Sequence, residues 1–152
     1  MPTSVEQNIR PAGPADRSAI ETLLTGFELP TAGVGEQIRG FVVAVSAGEI
    51  VASAGLEVYG GGALLRSVAV RPDYQGRGLA RTLILRLLER ARADGIHQVF
   101  LLTTTAADYF RRLGFEAIAE ATVDPAVRAS KEFGDCCCVG AQAMRLRLGG
   151  TP

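Results

Sequence analysis

Residues 65–80 read LRSVAVRPDYQGRGLA and are the most informative segment of the chain. An apolar strand is followed by a proline break, by two glycines separated by one residue, and then by a long amphipathic helix. Gly76 and Gly78 have no Cβ, so the backbone can come close to a ligand there. The helix that begins beside them directs unpaired N–H groups and its positive dipole end to the same place. The pattern predicts an anion site of the kind that holds a pyrophosphate.

Two common phosphate motifs fit this glycine pattern poorly. A P-loop ends in Gly-Lys-Ser/Thr, whereas Gly78 is followed by Leu79 and Ala80. The dinucleotide-binding fingerprint requires a third glycine and an acidic residue after the second strand, and neither is present. Read as Gln75-x-x-Gly78-x-Ala80 after a short strand and Pro72, the segment instead resembles motif A of the GNAT superfamily of acetyl-coenzyme A-dependent N-acetyltransferases. A glycine-rich helix start that serves only packing is the alternative interpretation.

Length and composition set the broad class. The 152 residues suffice for one core, and we predict a single domain over residues 1–152 with an ordered core from about residue 6 to residue 148. The 16 basic and 16 acidic residues balance, which argues against a nucleic-acid or anionic-membrane surface. No apolar run reaches the roughly 18 residues of a membrane helix, and the N-terminus has no secretory signal pattern. We therefore expect a soluble, cytoplasmic protein.

Hydrophobic periodicity predicts an alternation of strands and helices. The predicted strands are residues 6–12, 41–46, 49–59, 63–70, 98–103, 115–123 and 141–148. The predicted helices are residues 15–25, 79–93 and 106–113; residues 28–33 are a predicted loop, after which there is room for a second short helix. This order predicts an α/β fold, with helices on both faces of a mixed central sheet.

The same order of elements is that of the GNAT fold. Further strings resemble the arsenic-resistance N-acetyltransferase branch of the superfamily and cover most of the chain from about residue 28 onward: GLEVYG (55–60), ALLRSVAV (63–70), LLTTTAADYFRRLGF (101–115) and VRASKEF (127–133). This resemblance implies an acceptor with a primary amine, either a small arsenical or a phosphinate-like amino acid. An ordinary amino acid, a polyamine or a protein N-terminus is the alternative.

The resemblance also implies how acetyl-coenzyme A is held as co-substrate, without a metal or prosthetic group. The pantetheine arm is expected along backbone groups of Val68 and Val70. The pyrophosphate is expected on the backbone amides of Gln75, Gly76, Arg77, Gly78, Leu79 and Ala80. The side chain of Arg77 would add positive charge beside the phosphates. A main-chain N–H near Val70 would polarise the thioester carbonyl, because a fixed donor best meets developing oxyanion charge.

An acceptor amine must lose its proton before it attacks, and Glu57 is the best-placed carboxylate to act as general base. If Gly61 and Gly62 form a two-residue turn, Glu57 lies directly opposite Arg66 on one face of the sheet. Glu57 would then accept the proton, directly or through water, while Arg66 grips a substrate carboxylate or phosphinate. An ordinary cross-strand ion pair explains these two residues equally well. Glu28 lies in the loop that resembles the family's acceptor-side lid and is a second candidate substrate contact.

In this superfamily the departing thiolate usually receives a proton from a tyrosine four residues before the glycine of a Gly-Phe pair, and here that position is Phe110. Tyr109 is adjacent, but one residue along a helix turns a side chain by about 100°. We therefore expect Phe110 to line the coenzyme channel and Tyr109 to be a packed aromatic residue. Because the tyrosine that would act as general acid is absent at this position, a second function stays open: a non-catalytic module that binds acyl-coenzyme A.

Cys136, Cys137 and Cys138 are the three cysteines of the chain. Adjacent thiols do not have the spacing of a zinc site, and in a strand only Cys136 and Cys138 share a face. Thiolates suit arsenite, but without a third well-placed sulfur we expect reduced cysteines in a turn or strand and no metal. The sequence leaves open whether the final strands pair two subunits into a homodimer.

Overall fold

The computed structural model describes residues 8–129 and 141–148. The strands in these ranges are β1 (Ile9–Pro11), β2 (Phe41–Ser46), β3 (Glu49–Tyr59), β4 (Gly62–Val70), β5 (Gln98–Thr103), β6 (Glu116–Ile118) and β7 (Gln142–Arg147). The α-helices are α1 (Arg17–Gly26), α2 (Leu79–Ala93), α3 (Ala107–Arg112) and α4 (Pro125–Arg128). The described strands form one seven-stranded sheet in the order β1-β2-β3-β4-β5-β7-β6.

The sheet is mixed, as predicted. β4 and β5 run parallel and are connected by α2, while the other described strand pairs are antiparallel. Val42 and Val43, adjacent on β2, belong to two separate core clusters, as the pleat of a strand requires. The cluster of Val42 packs α2 and α3 on one face, and that of Val43 packs α1 on the other. No helix within the described residues is long and apolar enough to cross a bilayer.

Most predicted elements match the observed ones, and the largest error lies after β6. The predicted strand at residues 115–123 ends at Ile118, and the chain then forms α4. Pro125 favours the first turn of that helix, and Asp124 caps it by accepting a 2.9 Å hydrogen bond from the backbone N of Ala126. In place of the second short helix predicted after the loop at residues 28–33, the structure has a 3-10 turn, Ile38–Gly40.

The turn between β3 and β4 lies one residue earlier than predicted. Tyr59 pairs with Gly62, so the two residues between them form the turn. Glu57 consequently pairs with Leu64, and the prediction that it lies directly opposite Arg66 is wrong. The register differs from the predicted one by an even number of residues, so Glu57 and Arg66 remain diagonal neighbours on the same face.

A bulge in β4 separates this strand from β5. Ser67 has a φ of 61°, which is uncommon for a residue other than glycine, and the pairing with β3 is irregular at this level. β4 pairs with β5 only from Gly62 to Leu64, whereas β5 continues its pairing with β7 as far as Thr103. The C-terminal parts of β4 and β5 therefore leave an opening between them, and the chain leaves that end of β4 to enter α2.

Candidate active site

The glycine-rich loop and the start of α2 form a cradle of backbone N–H groups. Gly76 and Gly78 have φ values of 81° and 77°, a left-handed conformation that favours glycine. Thr82 donates its backbone N–H to the carbonyl of Gly78 at 3.0 Å, so the amides that precede it in α2 have no partner within the helix. A Cβ built on either glycine meets no atom within 4 Å. The cradle is thus open to an approaching anion, as pyrophosphate binding requires.

Arg77 lies in the cradle segment, but its side chain is held by neighbouring groups. The guanidinium lies 4.8 Å from the centre of the Tyr74 ring, and Nη2 donates to the carbonyl of Asp73 at 3.3 Å. Tyr74 in turn donates from its hydroxyl to Ser46 at 2.8 Å. A contact between Arg77 and phosphate stays a prediction.

The opening between β4 and β5 exposes backbone groups of Val68 and Val70. Arg71 donates its backbone N–H to the carbonyl of Val51 on β3 at 2.8 Å. Backbone groups of successive strand residues alternate in direction, so the N–H groups of Val68 and Val70 point away from β3, into the opening. The Gln75 side chain donates from Nε2 to the carbonyl of Val70 at 3.0 Å. Val70 therefore presents its N–H at the predicted place of the thioester, while a protein group occupies its carbonyl.

Buried Glu57 and Arg66 form a polar cluster with half-buried Tyr59 on the face of the sheet opposite α2. Arg66 donates from Nη1 to Oε2 of Glu57 at 2.8 Å, and the two side chains are 0% and 2% exposed. The Tyr59 hydroxyl donates to Oε1 of Glu57. Both carboxylate oxygens of Glu57 therefore have a donor, as a buried carboxylate requires. The predicted pair exists, and Tyr59 completes it.

Arg66 also binds the loop of residues 27–37, which connects α1 to the 3-10 turn before β2. Its Nη2 donates to the carbonyl of Pro30 at 3.0 Å, and its Nη1 donates to the carbonyl of Ala32. Its Nε donates to the hydroxyl of Ser67 at 2.9 Å. The position of Arg66 does not support the predicted grip on a substrate carboxylate, because protein acceptors enclose the guanidinium. Glu28, exposed and with a φ of 57°, lies at the start of the same loop.

Tyr109 packs against the core cluster of α2 and α3, as predicted for a packed aromatic residue. Phe110 is 7% exposed and packs its ring edge-on against Phe115, with the ring centres 5.7 Å apart. The contact of Phe110 with the coenzyme stays a prediction. Tyr109 is half-buried, and this burial raises the pKa of its hydroxyl, although the charges of Arg81 and Arg112 act in the opposite direction. Tyr109 consequently stays protonated beside the positive groups of α2 and α3.

Two contributors to the site were not predicted. Tyr59 follows Glu57 by two residues on β3, so the strand period alone could have placed both side chains on one face. Ser53 donates from Oγ to the carbonyl of Ser67 at 2.8 Å, and no sequence signal indicates this bond because it depends on the bulge. Cys136, Cys137 and Cys138 lie outside the described residues. Within residues 8–129 and 141–148, no group of His, Cys, Asp and Glu side chains could hold a metal ion.

The chain is similar in sequence to acetyltransferases. A family model described as "Acetyltransferase (GNAT) domain" matches residues 37–117. The amino-acid acetyltransferase of Ectopseudomonas mendocina is 44% identical over 66 residues, which are 43% of this chain and 15% of that protein. The amino-acid acetyltransferase of Pseudomonas fluorescens is 42% identical over 66 residues, with the same shares. The match thus spans about 15% of the length of these curated relatives.

Solved structures show the same architecture. Rv2747 from Mycobacterium tuberculosis, determined in complex with CoA and NLQ, is 27% identical with a TM-score of 0.77, over 92% of this chain and 98% of that chain. N-acetylglutamate synthase from Neisseria gonorrhoeae, complexed with coenzyme A and N-acetyl-glutamate, is 22% identical with a TM-score of 0.80, over 93% of this chain and 35% of that chain. The second likeness shows the fold alone.

Proposed function

Because the chain belongs to the GNAT acetyltransferase family, we propose that it transfers the acetyl group of acetyl-coenzyme A to the primary amine of a small, amino-acid-like molecule. The observation that carries this proposal is the position of the amide cradle at the start of α2, next to the opening between β4 and β5. A pyrophosphate needs fixed N–H donors, and an extended thiol arm needs unpaired strand groups beside them. The chain provides both surfaces at consecutive points of its sequence.

The backbone carries most of the proposed coenzyme contacts. The amides of residues 76–80 hold the pyrophosphate, whereas the backbone N–H of Gln75, also predicted to do so, donates to the carbonyl of Pro72 at 3.4 Å. The N–H groups of Val68 and Val70 bind the pantetheine arm. The N–H of Val70 also polarises the thioester carbonyl, because it is a fixed donor in the opening. The name of the Mycobacterium tuberculosis structure includes CoA, and that chain matches this one over nearly its whole length, which supports acetyl-coenzyme A as co-substrate.

An amino-acid-like acceptor is supported by the sequence relatives. The two relatives described above are named amino-acid acetyltransferases. Arsenical or phosphinate amino acids, which the strings from residue 55 to residue 133 suggest, share the primary amine with ordinary amino acids. Both kinds of acceptor are therefore included in the proposal, with Glu28 as a candidate contact at the loop.

The proposed chemistry is direct attack in a ternary complex. Glu57 takes the ammonium proton through an intervening water, because its carboxylate is buried and both of its oxygens already have donors. The free amine then attacks the thioester carbon, and the C–S bond breaks to give the N-acetyl product and the thiolate. The proton that the acetylated nitrogen loses passes through water to the thiolate, since Tyr109 packs on the core beside the arginines of α2 and α3.

A thiol-release screen tests this proposal. The panel contains glutamate, glutamine, the other amino acids, phosphinothricin-like compounds, amine arsenicals, polyamines and a peptide with a free N-terminus. We expect acetyl-coenzyme A-dependent release with amino-acid-like acceptors and none with polyamines or the peptide. Release with polyamines or the peptide alone would contradict the acceptor class. Coenzyme A binding without release for any amine would instead identify a binding module.

A further inference from the structure

We propose that Arg66 is a positioning residue that fixes the acceptor-side loop, residues 27–37, over Glu57. The guanidinium joins separate parts of the fold. It donates to the carbonyls of Pro30 and Ala32 in the loop, to the carboxylate of Glu57 on β3, and to the hydroxyl of Ser67 in the bulge of β4. That this loop borders the acceptor rests on the proposed function, whereas the anchoring itself rests on these contacts.

An arginine suits this position better than a lysine. Its planar guanidinium carries five N–H donors in a fixed fork, so one side chain can serve two loop carbonyls, a carboxylate and a hydroxyl together. A lysine ammonium has three donors and no planar fork. The carboxylate of Glu57 supplies the negative charge that lets Arg66 stay buried, and Arg66 in turn fixes the orientation of Glu57.

Packing holds the two ends of the acceptor-side loop, and Arg66 holds the middle. Leu29 packs against the core cluster beneath α1, and Val34 is fully buried in that cluster. Between them, the carbonyls of Pro30 and Ala32 accept from Arg66. We therefore expect the loss of the guanidinium to loosen this segment while the sheet and helices stay folded.

Two amides report on the loop directly. The backbone N of Val34 donates to the carbonyl of Thr31 at 3.2 Å, and the backbone N of Gln37 donates to the carbonyl of Gly33 at 2.9 Å. Both bonds lie within the acceptor-side loop, and we expect them to open more often when the guanidinium of Arg66 is lost. Hydrogen–deuterium exchange at these amides therefore measures the anchoring without any substrate.

The test compares Arg66→Met and Arg66→Lys with Arg10→Met. Arg10 makes an exposed ion pair with Asp16 at 2.8 Å and lies outside the cluster of Glu57, Tyr59 and Arg66. Arg10→Met therefore also removes an arginine–carboxylate pair and serves as the matched control. We expect exchange at Val34 and Gln37 to become at least about tenfold faster in both Arg66 variants, with little change in α2 or in Arg10→Met. With the best acceptor from the screen, the acceptor KM should rise about tenfold and the acetyl-coenzyme A KM should change less than about twofold.

Arg66→Met leaves Glu57 buried without its cation and can fail to fold, so Glu57→Leu/Arg66→Met serves as a second variant that removes both charges. Faster exchange confined to the loop in a folded variant supports the anchoring. Unchanged exchange at Val34 and Gln37, or equal acceleration throughout the sheet, would overturn it. Exchange needs no acceptor, so the two proposals can fail separately. Faster loop exchange in the Arg66 variants, together with a wild type that acetylates no acceptor, would refute the proposed function alone. Acetylation by the wild type, together with unchanged loop exchange in the Arg66 variants, would refute the anchoring alone.

Discussion

Ser53 on β3 donates a hydrogen bond of 2.8 Å from its hydroxyl to the backbone carbonyl of Ser67 on β4. Both residues are buried, and Ser67 has the positive φ of the bulge. The hydroxyl of Ser67 accepts from Nε of Arg66 on its other side. The side chains of Ser53 and Arg66 thus both bind the bulge, at the level where β4 parts from β5 and beside the proposed coenzyme opening.

Ser53→Ala should weaken both the fold and coenzyme binding. The change leaves the buried carbonyl of Ser67 without its donor, so we expect the free energy of unfolding to fall by about 1 kcal/mol. Coenzyme A affinity should fall severalfold, because the opening beside Val70 loses a support. Urea unfolding and calorimetric titration measure the two effects, with the exposed Ser18→Ala on α1 as control. Lower stability with unchanged coenzyme affinity would show that the bulge keeps its shape without this bond.

The strand-turn-helix motif could be predicted from the sequence because local chemistry specifies it. The loop requires a proline break and then glycine at positions 76 and 78. The spacing of apolar residues in α2 indicates the length of the helix. The helix was predicted at residues 79–93 and is observed there. The same reasoning predicted the hairpin strands β2 and β3, which are observed at the predicted residues 41–46 and 49–59.

The remaining features depend on contacts distant in sequence. Three consecutive glycines, Gly60, Gly61 and Gly62, each permit a tight turn, so the sequence could not select the turn that sets the register of β3 on β4. The contacts of Arg66 with Pro30 and Ala32 join residues 36 and 34 positions apart. No periodicity indicates such a contact, and the sequence therefore suggested a substrate contact where the structure has a loop anchor.

Gly78→Ala should reduce coenzyme A affinity, because a Cβ at a φ of 77° strains the loop and extends into the open side of the cradle. We expect affinity to fall by roughly tenfold or more, since charge-assisted hydrogen bonds to phosphate are each worth about 1.5–3 kcal/mol. Gly48→Ala is the matched control, because Gly48 has a φ of 79° and equally open surroundings in the turn between β2 and β3. If both folded variants bind coenzyme A with equal affinity, this loop does not bind the phosphates.

Glu57→Gln should depress kcat by roughly 10²–10⁴-fold, because a neutral amide cannot take the ammonium proton. The variant keeps the size and acceptor oxygen of the side chain, so the protein should stay folded. Glu49→Gln is the control, since Glu49 is an exposed carboxylate on the same strand and is paired with Arg71. If kcat changes by no more than a few fold, the ion pair of Glu57 and Arg66 has a structural role in the sheet and not a catalytic one.

Tyr109→Phe should lower kcat by less than about tenfold, well short of the loss expected for a general acid. Burial raises the pKa of this hydroxyl above its ordinary value of 10.0, so the phenol stays protonated throughout the neutral range. Absorbance titration of the wild type minus the variant should place the phenolate transition above pH 10. A hundredfold loss of kcat without a change in melting temperature would instead make Tyr109 the proton donor.

Mass spectrometry of the acceptor detects acetyl transfer to an amino-acid-like primary amine directly. The protein is incubated with acetyl-coenzyme A and the best acceptor of the screen, and both the acceptor and the released coenzyme A are quantified. We predict a mass increase of one acetyl group on the amine, in equal amount to the coenzyme A released, and its near absence with Glu57→Gln. An acceptor of unchanged mass, or coenzyme A release without an acetylated amine, would contradict this account.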